Sequence, residues 1–316
     1  MDRNVKRLDL EGKGHSDVIM GIDLGTTNSA VSVFTRGLVP TLCPMGANGA
    51  TTLQSCVRWD GGDKFTVGPE AYAERYKSNV CYSVKRIMGS GKVVTFTRED
   101  GTKKVMTPAQ VSAEILKALA DKVADSFGRL TRCVITVPAY FNQRQIEDTV
   151  EASKIAGLDC VQILKEPTSA SYIYSSLGHA SDGSILIYDL GGGTFDVTHM
   201  SFLKKSSIPS KMMTALKRMY GIDSNLLDEG EDSSLYYCRV LGTYGDMNLG
   251  GDDIDAVMAE LSAKSSGATL SDTEMEELKL RCEHFKKSGI EAMEVHIGNS
   301  KVKLAKPELL EATRVI

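Results

Sequence analysis

The chain has 316 residues, with 37 Lys and Arg against 41 Asp and Glu for a net charge of −4. Its composition, 42 % apolar and 25 % charged, is globular rather than disordered, and its length predicts two domains of about 150 residues each. The mild acidity gives no electrostatic footprint for nucleic acid or an anionic membrane surface, and no apolar run approaches the roughly 18 residues of a spanning helix.

Residues 1–17, MDRNVKRLDLEGKGHSD, carry charge without the apolar segment of a signal peptide and read as an N-terminal extension. Seven cysteines with no C-x-x-C pair fit a reduced, cytoplasmic thiol set better than a disulfide framework. Residues 19–34, IMGIDLGTTNSAVSVF, run from an apolar stretch through Asp-Leu-Gly into a Gly/Thr turn and an alternating stretch. That pattern predicts a strand, a tight turn and a second strand. It returns at 185–202, ILIYDLGGGTFDVTHMSF, which places Asp23 and Asp189 at equivalent strand ends. Two matched copies at domain-sized separation predict two related lobes.

Lys85, in YSVKRIMG, follows a strand-like trio and reads on composition alone as an ordinary exposed lysine. Thr107-Pro108-Ala109-Gln110 is a capping box with proline at the first helical position. Val111, Ile115, Leu119 and Val123 then mark one helical face, which Gly128 closes. CVITVP, 133–138, predicts a buried strand. Asn142 and Gln145 open a second helix through Ile146, Val150 and Ala156 to Gly157, and VQIL, 161–164, is again strand-like. Pro167 ends that strand and leaves the Glu166 carboxylate at a loop. Residues 203–238 read as a solvated surface insertion. A helix follows at Ile254–Leu261, and Ser271 to Glu274 cap another with a Met275, Leu278, Cys282, Phe285 stripe. PELLEATRVI begins a last helix. The arrangement is α/β, with ligands expected where strand ends meet helix starts.

Gly25-Thr26-Thr27 and Gly191-Gly192-Gly193-Thr194 offer unhindered backbone N–H groups and hydroxyls in tight turns, the geometry of a phosphate cradle. Neither G-x-x-x-x-G-K-[ST] nor G-x-G-x-x-G occurs. Asp23, Asp189, Asp196 and Glu166 lie beside these turns, and carboxylates next to phosphate suit Mg²⁺. Any one of them alone is more often a turn cap; together they favour a Mg-nucleotide site. Glu283, Lys286 and Lys287 share a helix face, where ion pairs are the default. The histidines show no ligand spacing.

GIDLGTTNSAVSVF, VITVPAYFNQRQ, ILKEPTSAS, IYDLGGGTFDV and GDMNLGGDDID, in this order, resemble the nucleotide-binding domain of the seventy-kilodalton heat-shock chaperones. The resemblance covers about 18–316 apart from the insertion. It implies a two-lobed actin-like ATPase fold with duplicated ribonuclease-H-like cores. Lobe I would span 18–183, with its core at 18–55 and 127–183 and a peripheral subdomain at 56–126. Lobe II would span 184–316 and be incomplete, with a core at 184–250 and a peripheral subdomain at 251–308.

By the same resemblance Gly25, Thr26, Thr27 and Asn28 look like the first phosphate loop, and Gly192, Gly193 and Thr194 like the second. Asp23, Glu166 and Asp189 match acids that hold Mg²⁺ through its waters; Asp23, Asp189 and Asp196 match those near K⁺. Lys85 matches the lysine that positions the attacking water, with Thr194 and Asp196 beside it. Gly250 and Gly251 fall in the fifth motif, while Glu283, Lys286 and Lys287 align with the helix that contacts ribose and adenine. Lysine at 287 stands where an arginine often stacks on adenine, and it lacks the planar guanidinium for that. Ile146 stands where the family usually carries an arginine that relays nucleotide state. The chain ends before the second adenine loop, the linker and the peptide-binding domain.

The resemblance implies slow Mg-dependent hydrolysis of ATP to ADP by a monomer. J-domain co-chaperone and nucleotide exchange factor are the implied partners, and an unfolded client would be held only through the missing domain. A catalytically weak regulatory module is the alternative; a sugar kinase or actin relative fits the motifs less well.

Overall fold

The computed structural model of the chain describes residues 18–35, 40–46, 49–176, 183–204 and 236–315. The expected extension over 1–17 and residues 205–235 of the expected insertion lie outside them.

The first hairpin forms as its pattern predicts. β1 (Val18–Asp23) and β2 (Asn28–Thr35) pair antiparallel, with Asp23 opposite Ala30. Val18, Met20 and Ile22 point inward from one strand, and Val31 and Val33 from the other. β3 (Thr41–Leu42) and β4 (Thr52–Gln54) both pair with β2.

Residues 56–106 hold short pieces. β5 (Cys56–Gly61), β6 (Lys64–Val67) and β7 (Val80–Tyr82) form a sheet of order β6–β5–β7. α1 (Pro69–Ala73), a 3₁₀ turn at Val84–Ile87 and the hairpin β8 (Val94–Thr97) and β9 (Lys103–Met106) complete the stretch.

α2 (Pro108–Phe127) starts on the predicted capping box: Thr107 Oγ1 accepts from the Gln110 N–H, and Gln110 Oε1 accepts from the Thr107 N–H. Its Val111, Ile115, Leu119 and Val123 stripe is fully buried against the first sheet, together with Leu116. β10 (Arg132–Val137) then lies parallel to β1, and β11 (Asp159–Lys165) parallel to β10, for the order β11–β10–β1–β2–β3. Between them α3 (Gln143–Ile155) opens on the Asn142–Gln145 box.

The buried side of α3 is Gln145, Thr149, Ala152 and Ser153, whereas Ile146 and Val150 are only half-buried. Thr149 Oγ1 donates to the Gln145 carbonyl and Ser153 Oγ to that of Val150. These satisfied hydroxyls let small polar residues pack where an apolar stripe was expected. α4 (Glu166–Ser176) brings a second correction. Glu166 is its first residue, so Pro167 sits in a helical first turn, where its missing N–H costs nothing, rather than in a loop.

β12 (Gly183–Leu190) and β13 (Phe195–Lys204) make the second hairpin, Asp189 opposite Asp196, and β14 (Tyr236–Asp246) pairs with β13. Both described ends of the 203–238 segment are therefore strand, not loop. α5 (Gly251–Ser265), α6 (Asp272–Ser288), the hairpin β15 (Ala292–Ile297) and β16 (Ser300–Ala305), and α7 (Lys306–Val315) follow. They share a smaller core in which Met258, Leu278, Cys282, Phe285, Ile297 and Val302 are buried and Met275 partly so. The whole is a mixed α/β arrangement, and among the described residues no helix is long and apolar enough to cross a membrane.

Candidate functional site

The carboxyl ends of β1 and β10 open on a cavity of about 440 Å³. Asp23, Gly25, Thr26, Thr27 and Asn28 line it from the first hairpin turn, and Asp189, Gly191, Gly192 and Thr194 from the second. Lys85, Thr136, Glu166, Ser169 and Ala170 lie between. The two turns touch. A methyl group on Gly192 would lie 1.8 Å from Thr27 Oγ1, and one on Gly193 would lie 2.4 Å from Thr26 Cγ2. Only glycine permits that approach. Ser55 braces the first turn: its hydroxyl donates to the Gly25 carbonyl at 2.8 Å and meets Ser29 Oγ at 2.8 Å.

Lys85 is buried, 5 % exposed, not the surface lysine that composition suggests. Ser83, at φ 52°, turns the chain into the 3₁₀ turn that carries it. Its Nζ stands 2.8 Å from Glu166 Oε1 and 5.6 Å from the Phe141 ring centre. Lys165 holds the adjoining loop, its Nζ donating to the carbonyls of Pro138 and Phe141 at 3.2 Å each. Burial pushes the Glu166 carboxyl up, and Asp23 and Asp189 push it further, against the charge of Lys85. Burial also raises Asp189, with the negative charge of Asp23 beside it, and raises Asp196, with Asp189 beside it. The acids thus crowd one another around Lys85, with Lys165 close enough to act on Asp196.

A carboxyl with a raised folded pKa counts against folding once pH climbs past its unfolded value. Asp189→Asn is therefore expected to raise the melting temperature at pH 7. The gain should shrink as pH falls toward about 4 and vanish below it, where the acid is protonated in both states. Melting curves taken across that range check this; a gain independent of pH would assign it to packing instead.

Not every expected residue lines the cavity. Asp196 is buried on β13 beside Asp189. Gly250 and Gly251 support the second turn from behind, with the Gly251 N–H donating to the Gly191 carbonyl and the Asp252 N–H to that of Gly192. Glu283, Lys286 and Lys287 are engaged elsewhere. Glu283 is 4 % exposed and accepts from Arg75 at 2.7 Å, Tyr72 at 2.8 Å and Lys287 at 2.5 Å. Burial alone would raise its carboxyl, but Lys287, Arg75 and Tyr72 outweigh that and hold it at about 2. Lys286 pairs with Asp255 at 2.8 Å and donates to the Gly251 carbonyl. Among the described residues no group of three or more His, Cys, Asp or Glu is placed to hold a metal directly.

Several contributors carry no motif of their own. Thr136 donates to Asp23 Oδ1 at 2.8 Å, and Arg86 donates to the Gly193 carbonyl at 3.1 Å. Arg86 also forks onto Asp253, Ser83 donates to Asp252, and Tyr82 to Glu276. Adjacency to Lys85 was the one available signal for Arg86, and none marked Tyr72 or Arg75.

The family model described as Hsp70 protein matches residues 19–206. The chain is 38 % identical to a chaperone protein HscA homolog of Aromatoleum aromaticum, across 75 % of this chain and 35 % of that protein. It is 36 % identical to an HscA homolog of Aliivibrio fischeri, across 83 % of this chain and 40 % of the relative. A chaperone protein DnaK of Psychrobacter cryohalolentis is 33 % identical, across 93 % and 48 % respectively. The chain spans between about a third and a half of the length of these relatives. Since both glycine turns, Lys85 and Glu166 all fall within the matched segment, the site and the family model concern the same residues, and the chain belongs to the Hsp70 protein family.

Proposed function

We propose that this chain is the ATP-binding and ATP-hydrolysing domain of a heat-shock-type chaperone, built as two actin-like lobes over 18–183 and 184–316. The observation that carries the reading is the meeting of two Gly/Thr turns above crowded acids and one buried lysine. The residues fit a magnesium nucleotide. Thr27 Oγ1 is buried without a hydrogen-bond partner, and such a hydroxyl costs stability until an acceptor, such as a phosphate oxygen, reaches it. Clustered carboxylates with raised pKa values gain most from a cation.

Thr26, Thr27 and Asn28 would grip the phosphates from one side, and Gly192, Gly193 and Thr194 from the other. Asp23, Glu166 and Asp189 would hold Mg²⁺ through its waters, with Asp196 turned toward K⁺. The bound magnesium nucleotide supplies the transferable phosphoryl group and neutralises the charge that develops on it. Lys85, fixed by Glu166, would donate to the attacking water and the terminal phosphate, while Thr194 and Asp196 would complete its orientation. Glu283, Lys286 and Lys287 would take the nucleoside, for which Glu283 must exchange Arg75 and Tyr72 for ribose hydroxyls. Turnover would be slow. J-domain and nucleotide exchange partners would act on this monomer in the cytoplasm, and client binding would fall to a peptide-binding domain outside these residues.

Calorimetry with Mg-ATP, paired with a phosphate-release assay, tests the reading. One bound nucleotide per chain and release of phosphate are expected; absence of binding sinks the proposal. Binding without release would instead favour a regulatory module, a reading to which the engagement of Glu283 by Arg75 lends support.

A further inference from the structure

Cys133 and Cys160 occupy directly paired positions on the parallel strands β10 and β11. Neighbouring strands lie about 4.7–4.9 Å apart, and a disulfide spans Cα separations of about 4.4–6.8 Å. The two side chains share one face of the sheet, where each thiol shifts the titration of the other, and Cys160 Sγ donates to the Gln162 carbonyl at 3.4 Å. The ladder slips next to them: the following pair is Val134 with Gln162, which leaves Val161 unmatched. A bulge of this kind lets β11, the edge strand, shift slightly without breaking the ladder. Cys133 is fully buried, while Cys160 is only half-buried and open to a small solute.

We propose that Cys133 and Cys160 are a reversible redox pair, closing to a disulfide when the folded chain meets a hydroperoxide such as hydrogen peroxide. The Cys160 thiolate attacks the peroxide O–O bond, forming a sulfenic acid and releasing one water. The Cys133 thiol then attacks that sulfur, the S–S bond forms and the hydroxyl leaves as a second water. Both thiol protons end in water, and two electrons pass from the thiols to the peroxide. A dithiol reductant reverses the reaction.

Among the described residues the other cysteines lack this arrangement. Cys56 and Cys81 are close on β5 and β7, but Cys81 is paired with Val57, so the offset of one residue turns them to opposite faces. Burial pushes both up, Cys81 to about 12, and leaves them unreactive. At Cys160 the hydrogen bond from Cys133 holds the thiol down, at about 7, against the burial that raises it. The same bond pushes Cys133 up. The nucleophile and the resolving thiol are thereby distinguished. Closing the bond pins the edge strand that leads directly into Glu166 at the cavity, so oxidation state and site are mechanically joined.

The test uses the native chain treated with hydrogen peroxide, quenched with an alkylating agent, digested and mapped by mass spectrometry. A Cys133–Cys160 peptide lighter by two hydrogens is expected, lost on treatment with dithiothreitol and absent in Cys160→Ser. Cys133→Ala should leave a Cys160 sulfenic acid that dimedone traps. Iodoacetamide at pH 7 should label Cys160 at least about tenfold faster than Cys56 or Cys282. Absence of the linked peptide from the oxidised wild-type chain overturns the proposal, as does pairing of Cys160 with a different cysteine. Labelling of Cys160 no faster than the buried thiols overturns it equally, and neither reading depends on a variant that folds.

Discussion

Lys85→Ala is expected to bind Mg-ATP and to hydrolyse it about 10²–10³-fold more slowly than the wild-type chain in a single turnover. The expectation follows from where the ammonium sits. Lys85 is 5 % exposed and is fixed against Glu166, so its position is set before any ligand arrives. A donor that needs no reorganisation during the reaction contributes more than a mobile one, and its loss is felt in the chemical step. In the proposed site phosphate would be bound by the turns at 25–28 and 191–194, which the substitution leaves in place. The change also strips Glu166 of its partner, and breaking a buried pair from one side costs about 3–5 kcal/mol in a fully buried setting. Lys85→Met with Glu166→Gln removes both charges and serves as the control. A melting temperature restored in it traces the stability cost of Lys85→Ala to the orphaned Glu166 carboxylate; wild-type single-turnover rates in Lys85→Ala would remove Lys85 from the mechanism.

Gly192→Ala is expected to weaken Mg-ATP binding at least about tenfold, equivalent to 1.4 kcal/mol or more. The added Cβ would stand 1.8 Å from Thr27 Oγ1 and 2.9 Å from Thr27 Cβ. Neither atom is the far end of a flexible chain, so the two hairpin turns must separate. Their separation would displace the hydroxyl and backbone N–H groups proposed to hold the phosphates. Gly191→Ala is the internal control, since its Cβ would meet Thr194 at an ordinary 3.5 Å. Titration calorimetry on both variants decides the matter. Equal affinities for the two would show that contact between the turns is irrelevant to binding.

Legibility in the sequence followed the range of the interactions. The hairpins of β1–β2 and β12–β13, and the capping boxes at Thr107, Asn142 and Ser271, depend on residues a few places apart and were readable from spacing. The side of α3 that faces the core was not, because hydroxyls satisfied by the helix's own carbonyls carry no apolar signature. Strands β5 to β9 are too short for alternation to stand out. The β15–β16 hairpin does carry a signal, an alternating AMEVHI before a Gly298 turn at φ 53°.

In the site, the glycine turns and acids announced themselves through composition, and Lys85 only through resemblance. The engagement of Glu283 with Arg75 and Tyr72 had no local signature at all. Nothing in either segment specifies the other.

That last contact has a consequence for how the molecule is made. Glu283 follows its partner Arg75 by 208 residues, and Tyr72 by 211. During synthesis the first sheet and α2 can settle as soon as β11 has emerged, since their contacts close within the leading half of the chain. Arg75 must then wait, a charged group beside a forming core, until α6 leaves the ribosome. A ribosome paused between these points would expose a nascent chain with an ordered N-terminal half and an unsatisfied guanidinium. The moment at which α6 emerges, rather than the folding of the first sheet, sets when Arg75 and Tyr72 meet Glu283.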